Sequence, residues 1–180
     1  ASIPIDEQIR IEGEIYLHYS TSIKSAVCND GCFPIDSDKL DDILQAADIA
    51  VSGGGHTLGD DIFLGFSGAN GATAQFWIDL FDSSTAIAYI EDPLDLDDST
   101  GLKDIMNKST DKTTIALGKG ISSRPPRIKT GLPCNAVVIR APQTGNITKA
   151  IDVAQNVDSA SKLCIYSTSL NETADSWIVD

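Results

Sequence analysis

The sequence predicts a mainly β (α+β) protein built from two small units. Three observations favour this fold class: several short apolar runs bounded by turn residues, one strong helical pattern, and a reversal of charge near residue 105. The first unit, residues 1–105, is predicted to combine a helix with antiparallel strands. The second, residues 106–180, is predicted to be a β-barrel or sandwich, because no regular alternation of strands and helices is apparent.

The N-terminal third contains the clearest helical pattern. Residues 9–22 alternate apolar with polar or smaller side chains, which predicts a half-buried strand. Residues 36–51 space their apolar side chains at helical intervals behind an Asp36 or Ser37 cap, with further acids in the first turn. The glycine-rich segment 52–61 is predicted to be a mobile loop.

The rest of the chain is dominated by strand-like runs. Three of them are separated by short turns and predict an antiparallel meander: IFLGFS, ATAQFWIDLF and STAIAYIED. Residues 96–108 predict a short helix. Four more runs predict strands of the second unit: TTIALGKG, NAVVIRAP, SKLCIYSTS and SWIVD. NITKAIDVAQNV is compatible with either a helix or an edge strand.

The net charge of −13 argues against nucleic acid or an anionic membrane as a partner, because Lys and Arg hold both. The charge is uneven: residues 36–104 hold fifteen of the 26 acids, whereas residues 105–149 hold eight of the thirteen basic residues. The N-terminus shows no targeting peptide, and no apolar run approaches the roughly 20 residues of a membrane span. A monomer that binds neither nucleic acid nor membrane is expected.

The four cysteines bear on the compartment. Only Cys28 and Cys32 form a close pair, and a structural zinc site usually needs four ligands in such pairs. Three turn residues separate this pair, whereas thioredoxin-type motifs have two. Disulfides are therefore predicted, together with secretion; four free thiols in a cytosolic protein is the alternative. Four cysteines allow three connectivities, and the preferred one joins Cys28 to Cys32 and Cys134 to Cys164. Three glycosylation sequons are compatible with the secretory route: Asn107, Asn146 and Asn171.

Candidate catalytic residues are few. In SGGGHTLGDD, His56 with Asp60 or Asp61 could relay a proton, but no nucleophile motif accompanies them. Glu12 and Glu14 on one strand face would suit a glycosidase only with aromatic side chains nearby. The sequence therefore predicts no catalytic residue and no enzyme, with a hydrolase using His56 as an alternative.

Metal and cofactor sites are not expected either. Residues 91–100 carry five carboxylates but lack the register of a calcium loop, so a solvated acidic loop is predicted. Trp77 and Trp177 lie in apolar runs and are predicted to be core residues. An extracellular carbohydrate-binding, lectin-like β module is a further alternative and would place aromatic side chains on one exposed sheet face.

The basic loop at residues 121–133 is the predicted partner-binding site. It contains three prolines, which argue against a central strand, and Arg124, Arg127 and Lys129 surround the Pro-Pro step. A proline-stiffened loop loses little entropy on binding, and arginine is enriched at interface hot spots. An acidic protein partner is therefore predicted to bind here.

In layout, the chain resembles the Fusarium dual-domain effectors that are secreted into plant xylem. The resemblance covers the whole chain and rests on four features: the acidic N-terminus ASIPID, the CNDGC pair, a helix beside a meander, and a second β unit after the charge switch. It implies a C-terminal β-barrel, an apoplastic location and recognition of a virulence protein by a plant immune receptor, without enzymatic activity.

Overall fold

The computed structural model describes residues 4–23, 40–68, 72–121, 128 and 131–167. Helices and strands alternate over most of this range. The helices are α1 (Ile5–Ile23), α2 (Leu40–Gly53), α3 (Ala74–Ser83), α4 (Ser99–Lys108), α5 (Ala141–Thr144) and α6 (Ile147–Ser159). The strands are β1 (Leu64–Ser67), β2 (Ile87–Glu91), β3 (Thr114–Leu117), β4 (Ala136–Ile139) and β5 (Leu163–Tyr166).

The five strands form one sheet in the order β1-β2-β3-β4-β5. β2 pairs with β3, β3 with β4 and β4 with β5, and all three pairings are parallel. The predicted mainly β fold with an antiparallel meander and a separate barrel or sandwich is therefore wrong; the fold is α/β. A parallel pair needs a long crossover, and helices in the segments between strands supply most of these crossovers.

The central strands have the burial pattern of a parallel sheet. Every residue of β4, and three of the four in β3, are buried, and continuous apolar runs of this kind are typical of strands covered on both faces. One face carries Leu117, Val137 and Ile139, which pack with side chains of α4 and α6 such as Leu102 and Val153. This layer is the main hydrophobic core around the sheet.

The first segment predicted to be a strand, residues 9–22, is helical in α1. Its buried or half-buried positions recur every four residues, at Glu7, Ile11, Ile15 and Tyr19, which is a helical spacing. Arg10 donates hydrogen bonds to carboxylates three positions before it and four positions after it, as helix neighbours do. The apparent period of two came from apolar residues that the helix leaves exposed.

The run ATAQFWIDLF is also helical and forms α3. Phe76, Trp77 and Leu80 are buried, and their spacing places them on one side of a helix. Thr73 accepts the Phe76 N–H through its side-chain oxygen at the start of the helix. The helix between β1 and β2 removes the basis of the predicted meander.

Other predicted elements are confirmed. The helices predicted at 36–51 and 96–108 correspond to α2 and α4, and NITKAIDVAQNV is helical in α6. The runs at β1, β2, β3, β4 and β5 are strands, as predicted. The Asp36 or Ser37 cap and the SWIVD strand lie outside the described residues.

The chain divides into two compact units. One comprises residues 1–64 and 79–87; the other comprises residues 65–78 and 88–180 and holds most of the sheet. The domain boundary predicted between residues 105 and 106 stays a prediction. Over the described ranges, no helix combines the length and apolar character that crossing a membrane requires.

Candidate active site at the carboxyl edge of the sheet

A patch of polar side chains continues one face of the sheet beyond the strand ends. The face opposite the main core is lined by the small side chains Ala116, Ala136 and Val138. In the parallel register Glu91 aligns with Ala116, and Arg140 follows Val138 by two positions, so both belong to this face. Glu91 and Arg140 are thereby brought together from β2 and from the end of β4.

Glu91 is the centre of this patch. Its Oε1 accepts a hydrogen bond from Arg140 Nη2 at 2.5 Å, and its Oε2 accepts one from the Tyr89 hydroxyl at 2.9 Å. The Glu91 and Arg140 side chains are only 11% and 21% exposed, so this ion pair is largely withdrawn from water. Such a pair holds its geometry because each charge would be costly to bury alone.

Gly118 makes this pairing possible. β3 lies between β2 and β4, so the Arg140 side chain must pass over the end of β3 to reach Glu91. A Cβ atom on Gly118 would lie 2.8 Å from Arg140 Nη1 and 3.4 Å from Glu91 Oε1. Any other residue at position 118 would therefore displace the guanidinium.

Asp92 fixes the loop after β3. It has a left-handed backbone (φ 48°), which is unusual for a residue with a side chain. Its carboxylate accepts the N–H groups of Gly118 at 2.7 Å and Lys119 at 3.0 Å, and its own N–H donates to the Ala116 carbonyl. The chain around Gly118 is thus held from the neighbouring strand.

Burial shifts two acids of this patch toward their neutral forms. Burial raises the pKa of Tyr89, and the hydrogen bond from its hydroxyl to the Glu91 carboxylate raises this pKa further. Burial also raises the pKa of Asp92, although the N–H donors of Gly118 and Lys119 oppose this shift. Tyr89 therefore stays a hydrogen-bond donor at neutral pH.

His56, which the alternative hydrolase hypothesis uses to relay a proton, lies in a different setting. It lies in the turn after α2, where its backbone N–H donates to the Val51 carbonyl. Asp61 accepts the Thr57 N–H, so this acid stabilises the turn. The other acid predicted here, Asp60, is exposed. The segment is an ordered helix C-terminus with local turn bonds.

The acidic segment 91–100 is not the uniformly solvated loop that was predicted, because Glu91 is buried and Glu91 and Asp92 belong to the patch at the strand ends. The later acids stabilise the local backbone. Asp98 caps α4 by accepting the Gly101 N–H, and Asp95 accepts the Asp97 N–H. Glu12 and Glu14, predicted to share a strand face, lie on α1, where residues two apart point about 200° from each other. Trp77 is fully buried, which confirms its prediction as a core residue; Trp177 lies outside the described residues.

Cys134 and Cys164 are free thiols, so the disulfide predicted between them is not formed. The β4–β5 register explains this, because Cys164 lies opposite Val137 and not Cys134. The other predicted disulfide pair, Cys28 and Cys32, lies outside the described residues, as do the three predicted partner-binding residues: Arg124, Arg127 and Lys129.

We expect the two thiols to react at different rates. Burial raises the pKa of Cys134 to about 11, so its reactive thiolate is scarce at pH 8 and the sulfur is also shielded. Cys164 is only half-buried. Timed alkylation with iodoacetamide, followed by peptide mass spectrometry, should label Cys164 first; equal rates would contradict the burial of Cys134.

Residues 69–180 match the family model for the enolase C-terminal TIM-barrel domain, which is more than half of the chain. The chain belongs to the enolase family. The enolase of Corynebacterium kroppenstedtii is 24% identical over 97% of this chain and 47% of its own length. The enolase of Elusimicrobium minutum is 31% identical over 52% of this chain and 23% of its length. This enolase-family chain thus spans about half or less of the curated relatives it matches.

Solved structures show the same fold. A mandelate racemase/muconate lactonizing protein from Herpetosiphon aurantiacus aligns with a TM-score of 0.61 and 13% identity, covering 91% of this chain and 44% of that one. A dipeptide epimerase from Enterococcus faecalis aligns with a TM-score of 0.61 and 16% identity, covering 88% and 46%. The same epimerase complexed with Mg and the dipeptide L-Leu-L-Tyr gives a TM-score of 0.57 and 18% identity, over 87% of this chain and 43% of that one.

Membership of the enolase family corrects the functional predictions. The resemblance to Fusarium effectors and the inferred non-enzymatic virulence role are wrong, because the matched relatives are named for enzymes. A lectin-like module and a hydrolase using His56 do not fit the family either. Secretion, a monomeric state, an acidic protein partner and the exclusion of nucleic acid and membranes stay predictions.

Sequence reasoning missed the residues of the strand-end patch: Tyr89, Glu91, Asp92, Gly118, Lys119 and Arg140. One signal was available, because in three places a buried strand is followed directly by polar or glycine residues: YIED, TIALGK and VVIR. In a parallel sheet these ends share one edge, where ligands bind. The predicted antiparallel pairing would place these strand ends at opposite edges of the sheet.

Proposed function

We propose that this chain is part of an enolase-superfamily enzyme that acts on a small organic acid at the carboxyl ends of β2, β3 and β4. The buried Glu91–Arg140 pair carries the proposal, because it lies at the edge where barrels of this class hold their active sites. The names of the relatives, which include enolase, racemase and epimerase, support the same class of reaction.

Arg140 is the proposed substrate-binding residue. A planar guanidinium matches a carboxylate with paired N–H donors, so an organic acid would bind in the plane of the Arg140 side chain. Glu91 and Tyr89 orient that plane through the bonds described above. Arg140 neutralises the charge of Glu91, so the carboxylate of a bound substrate would not be repelled by Glu91.

Lys119 is the proposed proton acceptor. Enolase-superfamily sites remove a proton next to a carboxylate with a lysine or histidine base. Lys119 directly follows Gly118 at the carboxyl end of β3, and Asp92 holds its backbone N–H. The histidines of the chain, His18 and His56, belong to the unit that holds α1 and α2.

Enolase-superfamily sites also use one or two Mg²⁺ ions, so the fit of a cation to these residues matters. Mg²⁺ requires oxygen ligands in near-octahedral geometry. Here Glu91 Oε1 accepts a hydrogen bond from Arg140, and Glu91 Oε2 accepts one from Tyr89. The Asp92 oxygens accept hydrogen bonds from backbone N–H groups. No three His, Cys, Asp or Glu side chains in the described ranges are grouped to hold a metal. The residues present do not fit a divalent cation.

Exchange of the proton next to the carboxylate in D₂O tests the proposal. The full chain should catalyse deuterium incorporation into 2-substituted acids such as mandelate or the dipeptide L-Leu-L-Tyr, followed by NMR. Lys119→Met should slow exchange by about 100-fold or more, as expected for loss of a general base. Lys112→Met is the matched control, because Lys112 precedes β3 at the opposite end of the strand.

The two variants separate a role in proton transfer from a general effect of charge. Loss of exchange in Lys119→Met alone supports the assignment of Lys119. Equal loss in both variants would remove Lys119 from the proposed mechanism. Absence of exchange by the parent chain with every acid in such a panel would contradict the proposed reaction class.

A further inference from the structure

We infer that the Arg140 guanidinium stands where a divalent cation would otherwise neutralise Glu91, so that this site binds an anionic ligand without a metal. The inference rests on the proposed function for the location of the site. Its test measures metal binding and not turnover, so either proposal can fail while the other stands.

The first argument is the position of the guanidinium. Strands two apart in a sheet are separated by about 10 Å, so the ends of β2 and β4 face each other across β3. The Arg140 side chain crosses this gap and donates to Glu91 Oε1. It thereby fills the space over Gly118 that a cation shared by neighbouring strand ends would occupy.

The second argument is the set of atoms around that space. A Cβ on Gly118 would point at both Arg140 Nη1 and Glu91 Oε1, so any side chain at 118 would enter the same space. Position 118 supplies no side-chain oxygen as a ligand, and position 140 supplies a positive charge. Both features disfavour a metal, and both favour the guanidinium.

The third argument is electrostatic. A carboxylate as buried as Glu91 requires a positive partner or hydrogen-bond donors. Arg140 and Tyr89 supply both, which leaves Glu91 without an unmet demand for a cation. A metal would have to displace the guanidinium and leave it unpaired beside a second positive charge.

Manganese(II) is a suitable probe, because its solution EPR signal is lost when it binds and Mg²⁺ can compete with it. With the full parent chain, the EPR signal of added MnCl₂ should be at least as strong as it is with the Arg10→Ala variant. In that variant Glu7 and Glu14 on exposed α1 lose their positively charged partner. Arg10→Ala therefore controls for non-specific binding to an acidic protein. Tight binding by the parent that Glu91→Gln abolishes would overturn the inference.

A designed gain of binding tests the same inference from the other side. Combining Gly118→Asp with Arg140→Ala places a second carboxylate beside Glu91 and removes the guanidinium. The double variant should bind Mn²⁺ about tenfold more tightly than the parent or more, and addition of Glu91→Gln should reverse the gain. A folded double variant with no gain would show that the guanidinium does not occupy a cation position.

A measurement on the unaltered chain keeps the inference testable if the double variant does not fold. Bound Mn²⁺ broadens the NMR signals of nearby amides. The amide signals of Asp92 and Gly118 should be no broader than those of exposed acidic segments such as α1. Selective broadening at these two amides would locate a metal at the strand ends and overturn the inference.

Discussion

Replacing Trp77 by alanine is expected to lower the free energy of unfolding by about 3 to 5 kcal/mol. Trp77 is fully buried, and its ring makes edge contacts with Phe66 and Phe76 at centroid distances of 6.3 and 5.0 Å. Its Nε1 also donates to the Pro93 carbonyl at 2.8 Å. Alanine would leave a cavity and a buried carbonyl without its donor, and the two losses act in the same direction.

Urea denaturation followed by far-UV circular dichroism measures this loss without relying on tryptophan fluorescence. Phe63→Ala is the matched control, because that aromatic side chain is 45% exposed. It should change stability much less than Trp77→Ala. Similar losses in the two variants would contradict the packing described for α3.

The contrast between α3 and its predicted strand shows where sequence patterns became ambiguous. Phe76, Trp77 and Leu80 satisfy a helical spacing, but β-branched and aromatic residues around them favour a strand in a short window. The surrounding fold decides the outcome, because a helix here links β1 to β2. The same competition affected α1, whose apolar residues Ile5, Ile9 and Leu17 are exposed.

Elements with a complete local signal were predictable. α4 has an Asp98 cap and a buried stripe that includes Leu102 and Ile105, and it was predicted at nearly its observed position. β3 and β4 were predicted as strands from their apolar runs. The parallel pairing of the sheet was not predictable in this way. Strand direction depends on the crossovers, and of the crossover helices α3 has a strand-like sequence and α6 is compatible with either a helix or an edge strand.

The site depended on contacts between residues far apart in sequence. Glu91 and Arg140 are 49 positions apart, and nothing in either local sequence identifies the other as its partner. The role of Gly118 also follows only from register, because glycine after a strand usually indicates a turn. A correct parallel topology would have placed all three at one edge, although it would not have specified the ion pair.

Arg140→Met is expected to lower the free energy of unfolding by about 3 to 5 kcal/mol, because it leaves the Glu91 carboxylate buried without its charged partner. Met is unbranched and apolar, so it keeps part of the packing of the arginine stem. The cost should therefore come mainly from the unpaired charge. Denaturant titration of the parent and the variant at neutral pH provides the measurement.

A double-mutant cycle separates the unpaired charge from lost packing. Adding Glu91→Gln to Arg140→Met removes the buried charge. It keeps a side-chain oxygen that can accept the hydrogen bond from the Tyr89 hydroxyl. The double variant should recover a substantial part of the stability lost in Arg140→Met, since replacing both members of a buried pair costs less than removing one. Additive losses would mean that Glu91 and Arg140 contribute independently. In that case solvent would be supporting each charge, and the ion pair would not be the element that organises the carboxyl edge of the sheet.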